Sequence, residues 1–155
     1  VYFYLLDNLI DDGRIEEAKT VLKESYQKNP DELNAFYEVF IKEKQVGFEA
    51  VKAEYEALAK ANENSWRILF SIANVFSYNE YFKEAIQMWQ KTFGCMPKPR
   101  YTDSFEAMAQ CCVRMGDHES AVEYYKKELE LLCEDWGLKY GAEVDALEEK
   151  IRALQ

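Results

Sequence analysis

Residues 11–32 read DDGRIEEAKTVLKESYQKNPDE. The stretch carries both ends of a helix: Asp12-Gly13 in front and Asn29-Pro30 behind. Glycine favours the turn before it, and proline, with fixed φ and no N–H, ends it. In between, Ile15, Ala18, Val21, Leu22 and Tyr26 recur at three- and four-residue steps, on an otherwise polar helix. So thin a stripe, with a small alanine at its centre, cannot bury enough to stand alone. The rest of the chain must complete it.

Two other stretches lie over residues 13–30 without a gap. They are EYFKEAIQMWQKTFGCMP and GDHESAVEYYKKELELLC. Ala18, Ala85 and Ala121 align, and four residues on come the large Leu22, Trp89 and Tyr125. Pro30 and Pro97 close the first two copies, and Cys133 takes that place in the last. The spacing of the alanines fits a period of about 34 residues with one degenerate copy in the first gap. QVGFEAVKAEYEALAKANEN fills that gap loosely, with Phe48, Val51, Tyr55 and Leu58 on one face and no closing proline.

Each copy is preceded by a second amphipathic stretch. The stripes are Tyr2, Leu5, Leu6 and Leu9; Leu69, Ile72, Ala73 and Phe76; and Phe105, Met108, Ala109 and Cys112. Gly13 and Gly116 stand between the paired helices, where a left-handed residue is needed. This pattern resembles the tetratricopeptide repeat, W-x-x-L-G-x-x-Y followed by A-x-x-x-F and a closing Pro, over residues 1 to about 134. The tryptophan place is filled by Tyr2, Leu69 and Phe105, and the glycine place by Leu6, Ala73 and Ala109.

The resemblance implies an all-α, tetratricopeptide-like α-α superhelix, a right-handed stack of about four helical hairpins plus a C-terminal capping helix. It implies one domain over 1–155, with repeats near 1–32, 33–64, 65–99 and 102–134. Helices are predicted near 1–11, 14–28, 32–44, 48–61, 65–78, 81–94, 102–115, 118–134 and 142–154. Gly137 and Gly141 break the last repeat from the terminal stripe of Val144, Leu147, Ile151 and Leu154. That stripe reads as a cap over the last hairpin, with self-association as the alternative.

Residues 96–154 are also similar to the C-terminal helical-repeat regions of bacterial transcription regulators with an N-terminal helix-turn-helix of the Xre type. A repeat with a GD-x-x-x-A-x-x-Y turn there runs into a long helix and a short terminal one. This second resemblance implies a bacterial, cytoplasmic regulatory segment. The chain begins in mid-pattern, at VYFYLLDNLI, with no basic leader or cleavage signal. The expectation is a piece of a longer protein.

With 48% hydrophobic and 31% charged residues, the composition is that of an ordinary soluble globular protein and not a disordered one. The formal net charge of −10 opposes phosphate backbones and anionic membranes, so no nucleic-acid or membrane partner is expected. Cys95, Cys111, Cys112 and Cys133 form no C-x-x-C, and His118 is the only histidine, so no metal site is expected. The cysteines are expected to be reduced, with Cys112, on the apolar stripe, more buried than Cys111. No nucleophile elbow, metalloprotease helix, P-loop or dinucleotide fingerprint occurs, and no enzyme, catalytic residue or cofactor is expected. His118 follows a repeat turn, and Cys95 has no basic neighbour that would activate its thiol.

The expected partner is therefore a protein or peptide. In tetratricopeptide proteins the first helix of each hairpin lines a concave groove. Its off-stripe positions here predict a site centred on Arg67, Phe70, Asn74 and Tyr78. It would extend through Phe36 and Phe40 on one side and Gln110 and Arg114 on the other. Rings offer apolar contact, while amides and guanidinium groups hold backbone and carboxylate. The lysines of a chaperone-type carboxylate clamp are missing around Asn74.

Overall fold

The structure is a computed structural model that describes residues 1–155. It contains nine α-helices and no strand: α1 (Tyr2–Asp11), α2 (Ile15–Lys28), α3 (Leu33–Val46), α4 (Phe48–Ala61), α5 (Trp66–Tyr78), α6 (Phe82–Cys95), α7 (Asp103–Arg114), α8 (His118–Trp136) and α9 (Ala142–Leu154). Every predicted helix is present, with ends within two residues of expectation. The backbone divides into two compact units, residues 1–63 and 64–155. The first holds the hairpins α1–α2 and α3–α4. The second holds α5–α6, α7–α8 and the terminal α9.

The repeat is written into the backbone hydrogen bonds. At three hairpin turns the same bond closes the first helix: Arg14 N–H to Leu9 O, Tyr81 N–H to Phe76 O, and Asp117 N–H to Cys112 O, each 2.8–2.9 Å. The residue just before each donor is left-handed: Gly13 at φ 73°, Glu80 at φ 67° and Gly116 at φ 78°. Glycine is at ease there, whereas a residue with a Cβ is strained. Glu80 is thus the one place where this chain uses a costlier residue at the turn.

Side chains one period apart also touch in the second unit. Ser77 Oγ lies 3.3 Å from Cys111 Sγ, Gln90 donates to Tyr124 Oη at 2.8 Å, and Arg114 donates to Glu80 at 3.1 Å. These contacts tie equivalent positions of successive hairpins, while the main packing between the two hairpins is of α6 on α7.

Ala18, Ala85 and Ala121 are all fully buried, and so are Val51 and Tyr55 in the second repeat. The small side chain lets paired helices approach, and the large residue four positions on fills the space beside it. Ala85→Leu is therefore expected to overpack the α5–α6 crossing and cost about 1–3 kcal/mol, read by urea denaturation. An unchanged midpoint would mean that the crossing has room to spare.

Two stripe positions need correcting. Leu5 is 43% exposed, and Ile10 is buried in its stead. Tyr26 is exposed, and its hydroxyl donates to Glu38 on α3 at 2.9 Å. Neighbouring Ser25 is buried in its place and donates to Asn34 at 3.2 Å. Helices α2 and α6 face both their own partner and the following helix, so their buried arc is wider than one stripe. The same geometry corrects the cysteine expectation: Cys111 and Cys112 are each only 2% exposed. Cys112 faces the hairpin interior, and Cys111 faces Ser77 of α5.

The last hairpin runs into a firm stop. Gly137 at φ 68° caps α8, and its N–H and that of Leu138 return to carbonyls of the final turn. Arg100, in the segment after α6, grips Asp135 through its backbone N–H and its guanidinium at 2.8–3.0 Å. Trp136 Nε1 donates back to Arg100 O at 2.7 Å. The predicted break follows, and α9 then lays Leu147 and Ile151 into a core of Ala109, Cys112, Ala121, Val122, Tyr125 and Leu132.

Candidate functional site

In the first unit, Phe36 is 6% exposed, enclosed by the rings of Tyr37, Phe40 and Tyr55 at centroid distances of 5.3, 5.4 and 6.1 Å. It was expected to widen a ligand surface, and that expectation is corrected: its ring is core. The cause is α4, whose Tyr55 fills the inside of this hairpin and draws Phe36 onto itself. Phe40 is half-buried, stacked on Phe36, with Lys44 Nζ 4.6 Å above its ring. The same unit has an open cleft of about 590 Å³ between α2 and α3, bordered by Lys23, Tyr26, Glu38 and Lys42. Lys42 is already paired with Glu54.

The second unit brings the remaining predicted residues onto two first helices, α5 and α7. Ser77 and Cys111 form the seam between them. On α5, Asn74 is exposed and Tyr78 is 83% exposed, while Arg67 and Phe70 are half-buried. On α7, Gln110 and Arg114 are exposed. Gln110 donates to Glu106 at 3.3 Å, and Arg114 bonds Glu80 while its guanidinium sits 4.6 Å above the Phe82 ring. Arg114 is therefore held in place and already partnered. Asn74 and Tyr78 flank the seam as an amide and a ring open to solvent.

His118 is exposed at the start of α8, after Asp117 caps that helix by accepting from Ser120 N–H at 3.0 Å. None of the four cysteines is joined in a disulfide. Burial pushes the Cys112 thiol up to about 11 and raises that of Cys111, which makes both poor nucleophiles. No three His, Cys, Asp or Glu side chains converge on a metal-sized point. No helix is long and apolar enough to cross a membrane.

Sequence reasoning missed one group. Glu128, on the inner face of α8, is only 6% exposed. It stands seven residues after Ala121, where the first and third repeats place Ser25 and Thr92 and the second places Leu58. Those two are buried hydroxyls that meet Asn34 and Ser104 on the next first helix. In the fourth repeat the position lines a notch of about 260 Å³ between α8 and α9. The signal was legible: a carboxylate in a column that the other repeats fill with a small hydroxyl or a leucine. Burial, then Glu106, raises its acid to about 7, against the pull of Lys150 and a hydrogen bond with Thr102.

No family model matches the chain, and none of the curated proteins compared with it matches in sequence. Solved structures do. PilF of Pseudomonas aeruginosa superposes with a TM-score of 0.67 at 17% identity over 99% of this chain. The fold is the tetratricopeptide-repeat fold. The chain spans 65% of that PilF chain. MamA gives a TM-score of 0.62 at 16% identity, over 91% of this chain and 76% of its own. A kinesin-light-chain-like protein of Podospora anserina with tetratricopeptide-like repeats gives 0.59 at 13%, over 99% and 93%. At these identities the likeness speaks for the tetratricopeptide fold alone.

Proposed function

We propose that the chain is a non-enzymatic protein- or peptide-interaction module, its four repeats acting as one domain, and that the α5–α7 seam is its recognition surface. The carrying observation is Tyr78, a large ring left 83% exposed beside Asn74, next to the Arg114–Glu80 pair. Exposed rings beside fixed polar groups are what extended peptides use. Glu80 adds to this, because strained backbone is retained most often where a site needs it. Arg67 and Phe70 extend the surface along α5, and Gln110 extends it along α7.

A random peptide library displayed on phage tests this reading. Peptides selected on the wild-type chain are expected to bind Tyr78→Ala about 30-fold more weakly, the loss of a ring contact worth about 2 kcal/mol. Asn74→Ala is expected to weaken them several-fold. Neither change should move the melting temperature, since both side chains are exposed. Peptides that bind both variants at full strength would put the surface elsewhere.

The narrower reading is the C-terminal regulatory region of a bacterial, cytoplasmic transcription regulator. It rests on the similarity of residues 96–154 to such regions. A general scaffold or adaptor is the alternative, favoured by structural likeness to proteins as unlike in name as PilF, MamA and a kinesin-light-chain-like protein. A helix-turn-helix encoded upstream of Val1 in the same reading frame decides between them. On either reading this segment leaves DNA to another part of the protein. Fluorescence anisotropy with duplex DNA at about 150 mM salt, where charges are screened beyond about 8 Å, is expected to show no sequence-dependent binding. Sub-micromolar, sequence-dependent binding would contradict that.

A further inference from the structure

We propose that the open cleft between α2 and α3 docks an acidic peptide segment of a partner protein. One aromatic side chain of the segment enters the cleft, and its flanking carboxylates meet the lysines on the rim. The cleft measures about 590 Å³. Leu22 and Ile41, almost fully buried, form its floor, and Tyr26, 41% exposed, stands at its side. The lining holds three lysines, Lys19, Lys23 and Lys42, against the single carboxylate of Glu38. That carboxylate is already engaged by the Tyr26 hydroxyl. On a chain of net charge −10, such a local balance selects an anionic guest.

The repeats themselves show what fills such a place. With Ala18 laid over Ala85, Lys19 and Lys23 of α2 correspond to Ile86 and Gln90 of α6. With Val51 laid over Ala121, Glu54 of α4 corresponds to Tyr124 of α8. In the second unit Gln90 donates to Tyr124 Oη at 2.8 Å, and Ile86 and Tyr124 pack against one core. A ring from the next hairpin thus covers this face of α6. In the first unit Glu54 stands in that ring's position and pairs with Lys42, and the corresponding face of α2 is left open. A guest's aromatic side chain takes the place that Tyr124 holds in the later copy. Lys23 forms no ion pair and occupies the position from which Gln90 meets the Tyr124 hydroxyl, so it is the cation ready for a guest carboxylate. Lys19 and Lys42 are held by Glu16 and Glu54 in exposed bridges, which are weak enough to yield to a new partner. The cleft lies within the first unit and stands whether or not the α5–α7 seam binds peptide.

The test is an amide NMR titration of the 155-residue chain with the acetylated, amidated pentapeptide DEFED. Saturable shifts are expected in residues 19–27 and 38–45. The peptide DEAED, equal in charge but without the ring, is expected to bind about tenfold more weakly. Lys23→Glu should weaken DEFED about tenfold. Lys28→Glu, an equal change of charge on α2 outside the cleft, should leave it within about twofold, since an exposed charge at a distance is screened. Glu54→Tyr, which restores the ring of the later copy, is expected to close the cleft and abolish binding. Lys23, Lys28 and Glu54 are all exposed, and melting curves verify that each variant is folded. No saturation by DEFED, equal binding of DEAED, or equal effects of Lys23→Glu and Lys28→Glu overturns the proposal. Shifts confined to α5 and α7 also overturn it, and they leave the reading of the seam in place.

Discussion

Trp89→Ala is expected to lower the unfolding free energy by about 3–5 kcal/mol. Trp89 is the largest fully buried side chain, in the position four residues after the Ala85 crossing. Its removal leaves a void that rigid helices fill only in part. Native domains hold about 5–15 kcal/mol in total, so this one change consumes much of the stability of α5–α8. Trp89→Phe is expected to cost much less, because most ring volume stays and Nε1 has no hydrogen-bond partner to lose. Urea denaturation followed by circular dichroism reads both. A cost below about 1 kcal/mol for the alanine variant would mean that this column is not the core of the hairpin.

The second large effect is a pH slope from Glu128. Its acid is raised from 4.5 to about 7 in the folded chain. Between those values the folded state keeps a proton that the unfolded state has released. Stability is therefore highest below about pH 4.5 on this account, falls as pH rises, and levels off above about 7. One unit corresponds to about 1.4 kcal/mol, and partial access of water reduces the sum to the order of 1–3 kcal/mol. Glu128→Gln should flatten the slope and raise the melting temperature at pH 8 while leaving it nearly unchanged at pH 5. Asp135 acts in a different window. Its carboxyl, held by Arg100, lies well below the usual range, so its contribution is present above about pH 4 and is lost only in stronger acid. Parallel melting curves for wild type and Glu128→Gln across pH 5–8 would contradict the assignment.

Hairpin architecture was legible because it is local. Three-residue steps, turn glycines and a period of about 34 residues state which residues pair within a repeat, and the helices followed. What failed was less local. Cys111, Ser25 and Phe36 are buried by neighbouring helices, and a single stripe cannot record a second buried face. Tyr26 and Leu5 erred in the opposite sense, as apolar residues at the margin of an arc. Asn74 and Tyr78 were legible as positions off the stripe. That Arg114 is clamped by Glu80 and Phe82 depends on a turn residue with a left-handed backbone, which composition does not announce. Glu128 could have been found by aligning the buried columns of all the repeats rather than only their alanines.

Hydrogen–deuterium exchange of the chain, alone and saturated with a peptide selected on it, tests the central claim most directly. The account predicts added protection concentrated in residues 66–78 and 103–114, with Tyr78→Ala reducing it at the same peptide concentration. Protection confined to α2, α6 or α8, with α5 and α7 unchanged, would contradict it.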